Sequence, residues 1–228
     1  MNDVVAGAQL ARERLRGLVS PLVLVLSVIA VYALGVLERR GSGAGAADSA
    51  LEGPVFGFAL PILAYLVSER VCDGARLDRS VDLVARYGVD RRAALFGVLL
   101  VSAASTALSA VLLTVSALIG AHTLRDASLV SDLRASVGIA ALSGAVYALW
   151  FGAASLFGKR GGGRKWALIL DFLLGAGSSA LAAPWPRAHT RNLLGGVPVL
   201  DMPQSAAWLA LLAIGAASVV LSVSRTPS

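Results

Sequence analysis

The sequence is poor in charged, cysteine and aromatic residues. Of its 228 residues, 15% are Asp, Glu, Lys or Arg and 6% are aromatic, whereas 57% are hydrophobic. Soluble domains have about 25% charged and about 45–50% apolar residues. Because a water-soluble core cannot absorb so much apolar surface, the composition indicates a bundle of helices in a lipid bilayer.

Motifs for metal and nucleotide chemistry are also missing. The single cysteine, Cys72, excludes an intrachain disulfide, and we interpret it as a small packing residue. His122 and His189 fall in separate predicted external loops without ligand partners, so no metal site is predicted. The segment GKRGGGRK, residues 158–165, lacks the G-x-x-x-x-G-K-[ST] order of a phosphate loop and is interpreted as a basic turn. We therefore expect no catalytic residue, metal or cofactor in this chain.

The apolar residues fall in six runs of about the length that crosses a hydrocarbon core of about 30 Å as helix. The chain is thus predicted to be an all-α integral membrane protein, with a single transmembrane domain over residues 1–228. The first run is longer than the core of a signal peptide, so we interpret it as a retained span. A Gly- and Ala-rich loop over residues 41–53 follows, and Pro61 is expected to kink the second span. The predicted spans are residues 19–37, 54–67, 93–120, 133–157, 166–183 and 206–223.

The segment before the first span, residues 1–18, has the pattern of an amphipathic helix. Ala11, Leu15 and Leu18 share one helical stripe, and the arginines lie mostly off it. This pattern predicts a helix lying on the membrane surface.

The basic residues indicate the orientation of the chain. The formal net charge is +6, and Lys and Arg stand at the ends of the apolar runs, which is a topology signal and not a nucleic-acid site. Fourteen of the 20 Lys and Arg residues lie on the side that holds both termini. The positive-inside rule therefore places both termini in the cytoplasm.

The longest polar stretch, residues 68–92, lies between the second and third predicted spans. Within it Leu77, Val81 and Val84 recur on one helical face, and Asp82 and Arg86 are spaced for an i,i+4 ion pair. Gly88 is a typical residue just past a helix end. The pattern predicts a cytoplasmic amphipathic helix over residues 74–88, either as a docking element or as a helix lying on the headgroups.

The sequence from Arg79 to Leu100, RSVDLVARYGVDRRAALFGVLL, resembles the permeases of ABC-type-2 exporters. Their connection between helices 2 and 3 commonly reads like GTLELLLALPVSRWRILLGKLL, and the two align without a gap. Three departures from that pattern matter: Arg79 replaces a usual glycine, Gly88 a usual proline and Val98 a usual lysine. The six-span plan and the N-terminal helix agree with the resemblance along the whole chain.

The resemblance implies a function and partners. The chain would be the membrane-spanning subunit of an exporter in the bacterial cytoplasmic membrane, paired with a second permease chain as a homo- or heterodimer. A separate ATPase subunit would bind ATP and Mg²⁺ and would dock on the connection between helices 2 and 3, the coupling helix. The rival classes are a small membrane enzyme or secondary transporter, and a structural membrane subunit. The implied coupling residues are Leu77, Val81, Val84 and Tyr87 as the docking face, with Asp82, Arg86 and Arg91 as its polar rim.

The loop over residues 184–204 is predicted to contain a short helix, residues 187–194. The prolines and tryptophan before it would stop the fifth span, and two glycines would close it. The family resemblance implies that this region folds back into the outer leaflet as a re-entrant gate, and the alternative is an ordinary external loop. The candidate gate residues are Pro184, Trp185, Pro186, Gly195 and Gly196.

Asp171 is the one acidic residue expected deep in a span, roughly 9 Å beyond Lys165 at a rise of about 1.5 Å per residue. A carboxylate at that depth usually faces the bundle interior or water, so we predict that it does not face lipid. It is a candidate for the translocation path. The alternative is an acid that pairs with a basic residue near the interface.

Overall fold

A computed structural model describes residues 2–17, 19–42, 45–122 and 128–227 of the chain. Over these ranges the protein is all-helical and contains no strand, which confirms the predicted class. The α-helices are α1 (Asp3–Leu15), α2 (Val19–Ser42), α3 (Ala46–Ala50), α4 (Leu60–Cys72), α5 (Leu77–Ser80), α6 (Asp82–Ala85), α7 (Arg91–Ala121), α8 (Leu129–Ala154), α9 (Gly163–Leu174), α10 (Pro186–Leu193) and α11 (Gln204–Arg225).

Several helices are long and apolar enough to cross a membrane, which supports a multi-pass membrane protein. Among the described residues there are five, with α3 and α4 joined by a π-helical segment into one of them. They are Pro21–Gly41, Ala46–Cys72, Arg91–Ala121, Leu129–Ala154 and Gln204–Arg225. The fifth predicted span, residues 166–183, has no such helix among the described residues.

The helix α9 is too short to be that span by itself. Its 12 residues cover roughly 18 Å, against a hydrocarbon core of about 30 Å. It ends at Leu174 because the sequence continues as Gly-Ala-Gly-Ser-Ser, in which the two glycines and two serines are poor at propagating a helix. The next regular structure is a 3₁₀ turn at Ala180–Ala182.

The second span is longer than predicted, because most of the expected 41–53 loop is helical. Helix α2 continues to Ser42, and α3 begins at Ala46. A π-helical segment, Leu51–Ala59, contains Pro54 in its first half. Pro61 lies just after this segment, as the second residue of α4. The irregularity of this span is therefore a π-helical stretch that begins ten residues before Pro61.

The helix α7 is the centre of the bundle and contacts its neighbours through small residues. A Cβ on Gly97 would overlap the Val4 carbonyl oxygen of α1, and one on Gly120 would lie 2.5 Å from the Tyr32 carbonyl oxygen of α2. On α8, a Cβ on Gly144 would lie 2.7 Å from the Thr106 carbonyl oxygen of α7. Helices in membranes commonly pack through such residues, because backbones can then approach closely.

The predicted surface helix α1 packs against the protein itself. Ala11 is fully buried among residues of α4, α5 and α7, and Leu15 is partly buried in the same cluster. Arg14 donates hydrogen bonds to the carbonyl oxygens of Val71, at 2.6 Å, and Ser80, at 3.0 Å. Leu18, the third residue of the predicted stripe, lies outside the described residues. Ala11 and Leu15, the described members of the apolar stripe, therefore contact the bundle.

Candidate functional site

The segment expected to form one coupling helix over residues 74–88 is two short helices, α5 and α6. They are separated at Val81, which leaves the helical region with φ −97° and ψ 1°. Leu77 and Val81 are buried in a cluster with Leu99 and Leu156. The Leu77 N–H also donates to Ser155 Oγ at 3.2 Å. Their assignment to an outward docking face is therefore wrong, because the chain's own core covers them.

The exposed part of this segment has different members. The Tyr87 side chain is 83% exposed and Leu83 is 54% exposed, whereas Val84 is only partly exposed. Arg86 is exposed beside them, and Gly88 follows with φ +81°. We call Leu83, Arg86 and Tyr87 the coupling surface. The sequence pattern missed Leu83 because it lies off the apolar stripe.

The rim of this surface carries an ion pair that differs from the predicted one. Asp82 Oδ1 lies 3.0 Å from the Arg91 guanidinium, at the first residue of α7. The expected partner, Arg86, points to solvent. The pair thus joins α6 to the start of a span, which restrains the coupling surface relative to the bundle.

A buried arginine joins the start of α9 to the end of α4, the helix that precedes this segment. Arg164 is 1% exposed, and its guanidinium lies 2.8 Å from Glu69 Oε2 and donates to the Ser68 carbonyl oxygen at 3.2 Å. The turn adopts a left-handed conformation at Gly161, where a Cβ would lie 2.7 Å from the Ala75 carbonyl oxygen. Sequence reasoning assigned Arg164 to an exposed basic turn, because its acidic partner is 95 residues away.

Asp171 lies at the centre of a second group of polar residues. It is fully buried, so the prediction that it faces protein and not lipid is confirmed. The Tyr147 hydroxyl of α8 donates to Asp171 Oδ2 at 3.0 Å. Arg187, at the start of α10, is close enough to interact electrostatically with the same carboxylate and stacks over the Phe172 ring at 5.4 Å. The sequence identified the acid but not these two partners.

The short helix predicted over residues 187–194 is present as α10, and it is part of a hairpin formed by residues 175–203. At the turn of this hairpin, Trp185 packs edge-on against Trp150 of α8 at 5.4 Å. Pro184 precedes it, and Pro186 begins α10.

The helix α10 also contacts α8 one turn after Pro186, where Thr190 hydrogen bonds with Ser143 at 2.9 Å. α10 therefore runs along α8 from the level of Trp150 to the level of Ser143.

The base of the hairpin is closed by hydrogen bonds to backbone carbonyl oxygens. Arg191 donates to the carbonyl oxygens of Ala176 and Gly177, and the Leu200 N–H donates to the Ser178 carbonyl oxygen at 3.0 Å. Gly195, with φ +87°, ends α10. Gly196 lies against Arg191, where a Cβ would be 2.7 Å from Arg191 Cγ.

The two helices beside the hairpin run in the same direction. A Cβ on Gly138, near the start of α8, would lie 3.8 Å from the Trp208 ring near the start of α11. At the other end, Arg225 stacks on Phe157 at 5.3 Å. α9 begins at that same end, where the Gly163 N–H donates to the Phe157 carbonyl oxygen. Residues 163–204 therefore lead from one end of the bundle to the other in two shorter pieces, α9 and the hairpin.

The polar residues show no metal-binding arrangement. Over the ranges that the structure describes, no group of three His, Cys, Asp or Glu residues is close enough to hold a metal ion. His189 is 1% exposed, with Nε2 2.7 Å from the Ala183 carbonyl oxygen, and this contact belongs to the hairpin.

Comparisons with other proteins do not identify the chain. No model of a known protein family and no curated protein matches it. A function must therefore be argued from the resemblance of residues 79–100 and from the contacts above.

Proposed function

We propose that this chain is the membrane-spanning subunit of an ABC-type exporter, which moves a substrate across the bacterial cytoplasmic membrane. ATP would be hydrolysed, with Mg²⁺, on a separate ATPase subunit. The observation that carries the proposal is the coupling surface: Leu83, Arg86 and Tyr87 project from a short segment that is braced against three other parts of the bundle. The segment contacts Arg14 of α1, Ser155 just after α8 and Arg91 of α7. Tyr and Arg are enriched among the residues that dominate protein interfaces.

The proposal includes a route by which movement of the coupling surface reaches the interior. The linker before α5 contacts the turn at Gly161, and Arg164 ties the start of α9 to the end of α4. α9 then carries Asp171, which is joined to α8 through Tyr147 and faces α10 through Arg187. Packed contacts of this kind transmit displacement between distant sites when the elements have two arrangements.

We also propose that the hairpin enters the membrane from the outer side as a re-entrant gate. Its turn, at Trp185, lies deepest, and Arg191 near its base lies 4.0 Å from Glu52. Together α9 and the hairpin would then replace the fifth predicted span, residues 166–183. This arrangement keeps both termini in the cytoplasm, as the distribution of Lys and Arg requires.

The exporter would work with two copies of the membrane subunit, as a homo- or heterodimer, bound to the ATPase. A rival function, a secondary transporter, is favoured by one observation, the buried Asp171 with its partners Tyr147 and Arg187. Buried ionisable groups often mark ion pathways in membrane proteins. A transporter of that class would need no ATPase.

The test is whether the neighbouring reading frame encodes an ABC ATPase and whether that ATPase associates with this chain. We expect the two proteins to co-purify and the ATPase to be stimulated in proteoliposomes, and we expect Leu83→Asp with Tyr87→Ala to reduce both at least tenfold. Burying an unpaired charge at an interface is strongly unfavourable, and truncating the tyrosine removes its largest contact.

Two controls accompany this test. Tyr87→Phe retains the ring and should preserve binding. Val5→Asp places a charge at an exposed residue of α1, outside the coupling surface, and should preserve it too. Undiminished binding and ATPase stimulation by the double variant would refute the proposed coupling. Substrate movement driven by an ion gradient without any ATPase would favour the secondary transporter.

A further inference from the structure

A groove of about 880 Å³ lies between α9 and α11, with α8 as its floor. Its lining is mainly apolar and holds three of the four tryptophans of the chain. The larger lining residues are Trp150, Phe157, Trp166, Leu170, Trp185 and Leu221. Among the described residues, no aspartate or glutamate lines it.

The groove is about one leaflet deep. On α11 its lining extends from Ile214 to Leu221, roughly 10 Å at about 1.5 Å per residue. On the other side it runs from Trp150 of α8 to Phe157 in the turn that follows that helix. Pro184 and Trp185 close its deep end. Half of the hydrocarbon core is about 15 Å thick, so the groove matches one acyl chain better than a path through the bilayer.

The mouth of the groove is positively charged. Lys159 lines it, Arg160 is the next residue, and Arg225 stacks on Phe157 at its edge. All three side chains are exposed. Within the described ranges, no side-chain hydrogen bond or ion pair involves Lys159 or Arg160, so their charges are available to a ligand.

We infer that this groove binds an anionic phospholipid of the adjacent leaflet. The acyl chain lies along the tryptophans, and the headgroup phosphate lies between Lys159, Arg160 and Arg225. Basic residues at membrane surfaces attract anionic lipids, each contributing roughly a fivefold gain in binding. The inference is independent of the proposed function, because binding is measured on this chain without an ATPase or a transport assay.

The experiment uses the full chain with Trp208→Phe, so that every remaining tryptophan lines the groove. The protein is placed in nanodiscs of phosphatidylcholine, and lipids with brominated acyl chains are added to quench tryptophan fluorescence. We expect brominated phosphatidylglycerol to quench at roughly tenfold lower mole fraction than brominated phosphatidylcholine. Equal quenching by the two lipids would overturn the inference.

Charge variants test the mouth. Lys159→Gln, Arg160→Gln and Arg225→Gln together should abolish the preference for phosphatidylglycerol, and Lys159→Gln alone should reduce it several-fold, which covers the case in which the triple variant does not fold. The matched control is Arg39→Gln with Arg40→Gln, two arginines at the far end of α2, which should keep the preference. An unchanged preference in both mouth variants would contradict the assignment.

A blocking variant tests the part of the groove that binds the acyl chain. Ala217 lines the groove and is exposed, so Ala217→Phe should fill it and remove the phosphatidylglycerol that native mass spectrometry detects on the wild type. Retention of that lipid by a folded Ala217→Phe protein would overturn the inference. Displacement of the lipid by glycerol phosphate alone would also overturn the inference, because it would indicate a simple anion site. Cross-linking that places a second copy of the chain in the groove would overturn it as well.

Discussion

At the scale of single residues, Tyr147 and Asp171 form a buried hydrogen bond that joins α8 to α9. Tyr147 is fully buried, so replacement of Asp171 by leucine leaves its hydroxyl without a partner, at a cost of about 1–3 kcal/mol. We expect Asp171→Leu and Tyr147→Phe each to lower thermal stability in detergent. The double variant should lose less than the sum of the two, with a coupling of about 1 kcal/mol or more. Additive losses would show that the two side chains do not interact.

The ion pair of Arg164 and Glu69 predicts that removing one partner costs more stability than removing the other. Arg164 is 1% exposed and Glu69 is 36% exposed, so removing the acid leaves a buried cation, whereas removing the arginine leaves an acid that water can reach. Glu69→Leu should therefore destabilise the protein by about 2–3 kcal/mol, and Arg164→Met by less. Unfolding midpoints in one detergent compare the two directly. A larger loss for Arg164→Met would mean that packing and not charge governs this contact.

At the scale of helices, the crossing of α1 over α7 depends on the absence of side chains. A Cβ on Gly97 would overlap the Val4 carbonyl oxygen, so Gly97→Ala should push α1 away at a cost of about 1–3 kcal/mol. Limited proteolysis should then cleave within α1 more quickly. Gly138→Ala is the control, because a Cβ there would meet only the Trp208 ring at 3.8 Å. Equal protease resistance in both variants would contradict the observed packing.

The position of the hairpin along α8 can be tested by a disulfide. Ser143 Oγ and Thr190 Oγ1 are 2.9 Å apart, so cysteines at these positions should form a disulfide under mild oxidation in a Cys72→Ala background. Cysteines at Ser136 and Thr190 are the control, because Ser136 is two turns away on α8. Mass spectrometry of peptides identifies the bond. Cross-linking only in the Ser136 control would show that the hairpin reaches less deeply.

At the scale of the whole molecule, the number of crossings decides where the termini lie. If α9 and the hairpin together replace one span, both ends are cytoplasmic, in agreement with the excess of Lys and Arg on that side. We expect a reporter that works only in the cytoplasm to be active when fused at residue 228 and also at the N-terminus. Activity at one end only would indicate five crossings and would exclude the proposed gate.

The sequence alone determined the class of protein and much of its layout. The apolar composition and the length of the apolar runs require a membrane bundle, regardless of which helices pack together. The positions of five spans follow from the same signal. The glycines after Leu194 likewise predict the end of α10 from local chemistry. The segment Gly-Ala-Gly-Ser-Ser was also visible, but hydropathy alone counted it as part of a span.

Only the tertiary structure decided which surfaces face inward. Helical periodicity shows that Leu77 and Val81 share a face, but it does not tell whether a partner subunit or the chain's own core covers that face. The partners of Asp171 and Arg164 come from other helices, up to 95 residues away for Glu69. Such contacts depend on how helices cross, which is set by packing between elements and not by the local sequence of either one.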